Sequence, residues 1–272
     1  MTLLTWTLAS LAAAYVLIII ALATFQRRLQ YFPDRRLTHL AQTGMRGGEE
    51  LRLASADGER IVAWYFPAKD GRQLILYFQG NAGALVDRVP RFRMLTAKGY
   101  GLLAVSYRGY GGSTGSPTQR GLMQDGDAAY REARARGYGG NRVVLMGASL
   151  GTGVATALAA THEAAALVLE APYLSALDVA STHYPFFPVS WLMLDRFRSD
   201  LAIRHVHVPV LMIHGEEDDV IPISLAKRLF ELAKEPKTFM SVRGGGHLVL
   251  ELADVFPCVC EWIDEKTLIS RL

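Results

Sequence analysis

One serine of this chain lies between two glycines, in the G-x-S-x-G pattern Gly147-Ala148-Ser149-Leu150-Gly151. The apolar run 143–146 before it is typical of a buried parallel strand, and the alanine-rich segment 152–160 after it contains good helix formers. In a strand–turn–helix setting such a serine is presented as a nucleophile, and glycines give the tight turn the room it needs. The N–H of Leu150 would have no partner within the helix and could bind an oxyanion. Since an ordinary glycine-bracketed turn can carry the same five residues, the rest of the chain has to decide.

A nucleophilic serine needs a histidine as base. In the chain order Ser, Asp or Glu, His, that histidine should follow the last strand of the fold. His247 occupies this place, directly after the glycines 244–246, which would let its loop reach over the edge of the sheet. We therefore predict that His247 is the base.

The acid that orients the base should follow the preceding strand, where four carboxylates compete in 216–219. We favour Asp218, because the apolar pair 220–221 and Pro222 fix the turn that follows it. Asp219 would then be a solvated neighbour or a helix cap. Glu170, at the end of an earlier strand, is the alternative acid.

Two glycine-rich loops accompany these residues. Gln79-Gly80-Asn81-Ala82-Gly83 follows a predicted strand and could turn an amide towards the oxyanion, although a plain turn is the other reading. The loop 107–113 lacks the lysine and the spacing of a phosphate-binding loop, so we read it as a structural loop anchored by Arg108. His205, His207 and His214 do not have a convincing metal-ligand arrangement, so no metal and no cofactor are predicted.

The elements that must position these residues alternate along the chain. A hairpin at 50–66 turns at Asp57-Gly58, and six further short apolar strands follow, at 73–78, 101–106, 143–146, 165–169, 210–213 and 237–242. Helices are predicted at 84–98, 118–136, 150–161, 223–234 and 249–266. This order predicts an α/β protein with a mostly parallel, doubly wound sheet and an antiparallel edge formed by the hairpin.

Composition agrees with one such domain and narrows the partners. The 272 residues are 50% hydrophobic and 20% charged, which suits a sizeable core. A net charge of +3 is too small to argue for a nucleic-acid partner. Cys258 and Cys260 are two apart in a predicted helix and point to different faces, so we expect no disulfide between them.

An uncharged stretch, 3–25, opens the chain and would form a helix of about 35 Å, enough to cross a bilayer. A cleaved signal peptide is the competing interpretation, and Ala21-Leu22-Ala23 offers a cleavage pattern. We favour an uncleaved single-pass anchor, because no Lys or Arg precedes the run. The arginines that follow it, at 27, 28, 35 and 36, predict a catalytic part on the cytoplasmic side.

An aromatic-rich insertion separates two of the predicted strands, at about 171–208. It carries Tyr184, Phe186, Phe187 and Trp191, and we expect it to form a small cap whose aromatics bind substrate. The alternative is a helical connector that packs these rings into the core. The predicted organisation is thus an anchor at 1–26, a connector at 27–48 and a catalytic domain at 49–272.

These motifs, in this order over about 60–265, resemble the α/β-hydrolase fold serine hydrolases. The closest likeness is to the membrane-anchored α/β-hydrolase domain-containing branch, related to prolyl-oligopeptidase-like and depalmitoylating hydrolases. The resemblance implies Ser149 as nucleophile, Asp218 as acid and His247 as base, with an oxyanion hole formed by Leu150 and Asn81. Two positions depart from the family pattern: Gln79 stands where a histidine is usual, and Ser106 where many relatives carry Asp.

The function that follows is hydrolysis of an ester or thioester bond in an acyl substrate, such as a lipid or an acylated protein, through an acyl-enzyme. A serine peptidase on the same fold is one alternative, because the acyl-transfer machinery is shared. A catalytically silent, membrane-bound interaction module is the other. An intact Ser-Asp-His order argues against silence, since a scaffold has no need of all three residues.

Overall fold

Eight strands form one sheet, and a parallel pair of two short strands lies beside it. The computed structural model describes residues 2–69 and 71–268; residue 1 and the last four residues of the predicted catalytic domain, 269–272, lie outside it. The strands are β1 (Phe32–Pro33), β2 (Glu49–Ala54), β3 (Arg60–Phe66), β4 (Leu74–Phe78), β5 (Ala82–Gly83), β6 (Gly101–Val105), β7 (Val143–Ala148), β8 (Ala166–Glu170), β9 (Val210–Gly215) and β10 (Lys237–Val242). The large sheet has the order β10-β9-β8-β7-β4-β6-β3-β2, and the short pair is β1 and β5.

The antiparallel edge of the sheet is the predicted hairpin. β2 pairs with β3, and β3 with β6, in antiparallel register, whereas the pairs from β6 across to β10 are all parallel. Because parallel strands end at the same edge, the loops after β4, β7, β8 and β9 meet there. The predicted fold, a mostly parallel sheet with an antiparallel N-terminal edge, is confirmed.

Helices cover both faces of this sheet. The helices are α1 (Leu3–Gln30), α2 (Val89–Ala97), α3 (Gln119–Ala135), α4 (Leu150–Ala159), α5 (Ala176–His183), α6 (Val189–Leu192), α7 (Ser199–Ala202), α8 (Ile223–Leu232) and α9 (Val255–Leu268). α3, α4 and α8 contribute to the core on one face, and α2 and α9 to the core on the other. Successive side chains of β4 alternate between them: Leu76 and Phe78 lie in the first core, Ile75 and Tyr77 in the second.

Two predicted helices begin later than the sequence pattern indicated. Residues 85–88 form a 3-10 turn before α2. Pro90 is tolerated in the first turn of α2, because an N–H group at that position would have no partner within the helix. The helix expected from 249 begins at Val255, because the N–H groups of Val249 and Leu250 donate instead to a buried carboxylate, that of Glu170.

α1 is the one described helix that is long and apolar enough to cross a membrane, a test of length and composition that signal sequences also pass. Its apolar side chains are largely exposed, with none buried. The helix continues four residues beyond the predicted anchor and ends at Gln30. The chain then enters β1, which pairs in parallel with β5 and so ties the connector to the loop after β4.

Candidate active site

Ser149 occupies a strained turn between β7 and α4. Its backbone adopts φ 52° and ψ −122°, a region that L-residues rarely enter. The flanking glycines are required: a Cβ on Gly147 would lie 2.4 Å from the carbonyl oxygen of Gly151, and one on Gly151 would lie 2.2 Å from that of Phe78. The turn is fixed further by the Ser149 N–H, which donates to the carbonyl of Glu170 at 2.9 Å.

His247 lies between Ser149 and Asp218 and contacts both. Its Nε2 is 2.9 Å from Ser149 Oγ. Its Nδ1 is 3.0 and 2.9 Å from the two carboxylate oxygens of Asp218. The structure therefore brings three predicted residues together in a continuous hydrogen-bonded chain, with the carboxylate buried and the imidazole 23% exposed.

The Asp218 carboxylate is held in its charged form. Burial alone would raise its pKa, but hydrogen bonds from His214, His247 and the N–H of Ile221 outweigh burial and keep the pKa well below its usual range. His214 is fully buried, with Nε2 3.2 Å from Asp218 Oδ2 and 2.9 Å from the carbonyl oxygen of Ile221. The N–H of Val220 adds a further bond to Asp218 Oδ1 at 2.9 Å.

The other carboxylates near the site have different partners. Glu216 accepts a hydrogen bond from Ser241, and Glu217 and Asp219 are exposed. His205 and His207 are also exposed, away from the buried His214, and no group of three potential metal ligands occurs in 2–69 and 71–268.

The Glu170 carboxylate bonds to the loop of His247, whereas the imidazole itself bonds to Asp218 and Ser149. One carboxylate oxygen accepts the N–H groups of Val249 and Leu250, each at 2.7 Å. The other accepts from Arg91 at 2.5 Å, and Arg91 is itself buried and donates to Glu251 on its far side. The alternative acid is thus a support of the histidine loop, which no local pattern in the sequence indicated.

The predicted oxyanion donors are adjacent to Ser149. Leu150 is the first residue of α4, so its N–H has no partner within the helix. Asn81 lines the same cavity as Ser149, and its carbonyl accepts from Phe32 N–H at 2.9 Å and from Tyr110 Oη at 2.8 Å. Both bonds hold the Asn81 peptide in place. Gln79, which replaces the usual histidine, is fully buried, with no partner for its amide in the described chain.

The loop after β6 carries Tyr110, and Arg108 anchors that loop as expected. The Arg108 guanidinium donates to Asp125, Asp57 and Ser55. Burial lowers the pKa of this guanidinium, but its bonds to Asp125 and Asp57 prevail and the pKa stays raised. The hydroxyl of Tyr110 joins this loop to the oxyanion region.

A cavity of about 510 Å³ opens beside Ser149. Its walls are mostly apolar. They come from α1, from the insertion between β8 and β9 and from the loop that follows Asp218, together with Asn81 and the turn at Ser149 and Leu150. Among the lining residues of the insertion are Tyr184, Phe187, Leu192 and Met193. The cavity has the size and the apolar lining of a small-molecule site.

The structure separates the four aromatic residues expected to bind substrate. Tyr184 and Phe187 line the cavity, whereas Phe186 and Trp191 do not, and 84% of each of the latter side chains is exposed. The two exposed rings lie on the outer side of the insertion and form no part of the cavity wall beside Ser149. The alternative interpretation, a helical connector, required these rings to be buried in the core, and none of the four is.

α1 contributes a wall of the cavity that the sequence did not indicate. Leu22, Gln26, Leu29 and Gln30 line it. Gln26 donates to the carbonyl of Leu192 and accepts from the N–H of Leu194, at 3.0 and 2.8 Å. In the sequence Leu22 belongs to the uncharged run, whereas Leu29 and Gln30 follow two arginines, and only their packing against the insertion places them at the site.

Several known proteins are similar in sequence to this chain. A family model described as serine aminopeptidase, S33, matches residues 72–199. An uncharacterised protein of Mycobacterium tuberculosis is 38% identical over 232 residues, which cover 84% of this chain and 83% of that protein. The lysophosphatidylserine lipase ABHD12 of Danio rerio is 32% identical over 250 residues, covering 78% of this chain and 65% of the lipase.

The fold also matches solved structures. An esterase of Pyrococcus furiosus superposes with a TM-score of 0.65 at 16% identity, over 87% of this chain and 96% of the esterase. At this level of identity the likeness concerns the fold alone.

The chain covers only part of the lipases it resembles. It spans slightly less than two thirds of the zebrafish lipase, and 49% of a mammalian lipase of the same name.

Proposed function

This chain belongs to the α/β-hydrolase family of serine hydrolases, and we propose that it cleaves ester or thioester bonds of acyl substrates through an acyl-enzyme on Ser149. The observation that carries this proposal is the hydrogen-bonded chain from Ser149 through His247 to Asp218 at the edge of an apolar cavity. Each member has the partner that its role requires.

The proposed reaction begins when Ser149 Oγ attacks the acyl carbon and passes its proton to His247 Nε2. The tetrahedral oxyanion would be stabilised by the N–H groups of Leu150 and Asn81. His247 then gives the proton to the departing alcohol or thiol, and the acyl group remains on Ser149. A water molecule, deprotonated by His247, releases the acid and restores the serine, while Asp218 keeps the imidazole in the required tautomer and stabilises the imidazolium.

The cavity supports acyl chains as the substrate class. Leu22, Val179, Phe187, Leu192 and Met193 line it, so a chain held there would be surrounded by apolar carbon. Each buried methylene would contribute about 0.8 kcal/mol, so several carbons should raise kcat/KM visibly. The lysophosphatidylserine lipases that resemble this chain are named for a lipid substrate, which fits this class.

We further propose that α1 anchors the protein in a membrane with the catalytic domain on the cytoplasmic side. The uncharged part of α1 and the arginines that follow it support this orientation. Because α1 lines the cavity and is joined directly to the domain, the site would stay next to the bilayer.

A series of p-nitrophenyl esters from acetate to palmitate, hydrolysed by the full chain in detergent, tests the substrate class. We expect kcat/KM to rise over several carbons beyond acetate. Activity that peaks at acetate and falls steadily would rule out an acyl cavity. Failure of a fluorophosphonate probe to label Ser149 in folded protein would favour the silent interaction module.

A serine peptidase is the second candidate, and the description of the matching family model favours it. Ester and amide cleavage share the same acyl-enzyme, so the substrate decides between them. Amino-acid p-nitroanilides, compared at equal concentration with the matched p-nitrophenyl esters, would separate the two. Turnover of the anilide by the wild-type chain, lost in Ser149→Ala, would replace the proposed esterase with a peptidase.

A further inference from the structure

The outer side of the insertion is apolar and uncharged. The segment 184–194, which we call the insertion tip, contains no Asp, Glu, Lys or Arg. Phe186 and Trp191 are each 84% exposed and Leu194 is 64% exposed, so the tip presents large apolar side chains outwards. Exposed aromatic and aliphatic side chains grouped in this way mark a surface that another apolar phase covers.

The insertion tip lies against α1 within the uncharged part of that helix. Tyr15 donates from its hydroxyl to the carbonyl of Phe186 at 2.9 Å and stacks on the ring of Phe187 at 5.8 Å. Tyr15 precedes Arg27, the first charged side chain of the chain, by twelve residues, or about 18 Å along a helix. A bilayer that surrounds α1 would therefore also surround the insertion tip.

The backbone of the insertion tip is suited to lipid. In a bilayer each backbone N–H and C=O needs a partner within the protein. Two residues of the tip are prolines without an N–H, and seven of the remaining N–H groups have acceptors within the protein. Tyr184 donates to the carbonyl of Ala180 in α5, and Leu194 donates to the side chain of Gln26. The other five donate to carbonyls of the tip itself: Phe187, Val189, Trp191, Leu192 and Met193. Tyr15 satisfies the carbonyl of Phe186 in the same way.

A polar clamp fixes the insertion to the end of α1. Asp195, which is 4% exposed, accepts from Arg27 Nε at 2.9 Å and from Tyr31 Oη at 3.1 Å. Its backbone carbonyl accepts from Gln30 at 2.9 Å. Asp195 directly follows the insertion tip, and Arg27 directly follows the uncharged part of α1 and Gln26. The change from apolar to charged side chains therefore occurs at the same level on α1 and on the insertion.

We infer that the insertion tip enters the same membrane leaflet as α1, and that acyl chains pass from this leaflet into the cavity between the two segments. The passage of acyl chains is inferred from the lining of the cavity: Leu22 lies in the uncharged part of α1, and Leu192 and Met193 lie on the insertion tip. The cavity thus reaches the level of the lipid chains. This inference rests on the proposed acyl hydrolase.

Tryptophan fluorescence tests the insertion. Of the four tryptophans, Trp64 and Trp262 are buried, so the variant Trp6→Phe leaves Trp191 as the exposed one. The full chain is reconstituted in vesicles of ordinary or brominated phosphatidylcholine, and Trp6→Phe/Trp191→Phe supplies the background. We expect brominated lipid to quench most of the emission that belongs to Trp191. Equal emission in both lipids would overturn the insertion, and a second copy or a protein partner would then cover the tip.

Kinetics test the route of the acyl chain. Trp191→Asp and the matched variant Leu201→Asp, whose leucine is exposed but lies outside the tip, are assayed on two substrates: soluble p-nitrophenyl acetate, and p-nitrophenyl palmitate in phosphatidylcholine vesicles. We expect Trp191→Asp to lose about ten-fold or more on the vesicle substrate and to keep its acetate activity, while Leu201→Asp keeps both.

The two possible failures of this assay are distinguishable. A wild-type chain that hydrolyses neither ester would contradict the proposed function. A wild-type chain that hydrolyses both, with Trp191→Asp equally active on vesicles, would contradict entry from the leaflet.

A second pair of variants tests the route inside the cavity. Leu22→Trp should narrow the cavity and reduce the rate of palmitate hydrolysis relative to that of acetate, whereas Ile20→Trp, two residues away, should not. Equal ratios of the two rates in the two variants would also overturn the route.

Discussion

A carboxylate oxygen of Glu170 lies 2.7 Å from the backbone nitrogen of Val249, and this contact ties the end of β8 to the loop that carries His247. The backbone carbonyl of Glu170 also accepts the N–H of Ser149 at 2.9 Å. One residue therefore holds both the turn of the nucleophile and the loop of the base. Arg91 neutralises the buried carboxylate from the other side.

We expect Glu170→Gln to destabilise the protein by about 3–5 kcal/mol, because it leaves the buried Arg91 guanidinium without its buried charged partner. Glu251→Gln is the matched control: Glu251 bonds to the same arginine, but its side chain is 37% exposed. The free energy of unfolding of both variants, with kcat/KM of the folded protein, measures the effect. An equal loss in both variants would mean that Glu170 has no special role.

Ser149→Ala is expected to abolish turnover while the fold is retained. The side chain is small, and the backbone turn is held by the bond to Glu170 and by the flanking glycines. Residual activity should fall to about a thousandth of wild type or less. Steady-state ester hydrolysis and circular dichroism measure the two outcomes, and activity well above that level would indicate another nucleophile.

Asp218→Asn is expected to reduce kcat by about 10⁴-fold, because an amide favours the wrong tautomer of His247. Asp219→Asn, one residue away and exposed, should leave kcat within about two-fold, since a solvated carboxylate is screened. Glu170→Gln should cost less kcat than Asp218→Asn. Similar losses at Asp218 and Asp219 would show that the acid is assigned to the wrong residue.

The dependence of stability on pH should report the ionised state of Asp218. A carboxyl whose pKa is lower in the folded than in the unfolded protein stabilises the fold above its unfolded pKa of about 4, and the contribution is lost as the pH falls through the folded pKa. We expect the difference in unfolding free energy between wild type and Asp218→Asn not to narrow between pH 7 and about pH 5, and to narrow only below about pH 4. Denaturant unfolding at these pH values measures it; narrowing already above pH 5 would mean that the folded pKa is raised.

The membrane arrangement predicts how the protein fractionates. After alkaline carbonate washing the full chain should stay with the membrane, because about 35 Å of uncharged helix would span the hydrocarbon. Protease should reach the catalytic domain only from the cytoplasmic face. A mature protein whose first residue is Thr24 would instead establish signal-peptide cleavage and an exported enzyme.

Local sequence determined the sheet and the nucleophile turn. The apolar runs of β4, β6 and β7 predict strands because a parallel strand covered on both faces is apolar at nearly every position, a property of adjacent residues. The glycines around Ser149 indicate a turn with no room for a Cβ. The order of the motifs then indicated where His247 would meet Ser149, because the topology brings the ends of the parallel strands to one edge.

The tertiary structure decided which side chain faces what. Local pattern could favour Asp218 among four neighbouring carboxylates, but only the folded chain places its oxygens against His247 and His214. The sequence showed that the insertion is aromatic without showing that Phe187 faces the cavity while Phe186 faces outwards, because that depends on Tyr15, 171 residues earlier in the chain. Contacts between residues so far apart in sequence leave no periodicity to read, so the wall that α1 gives to the cavity follows from packing alone.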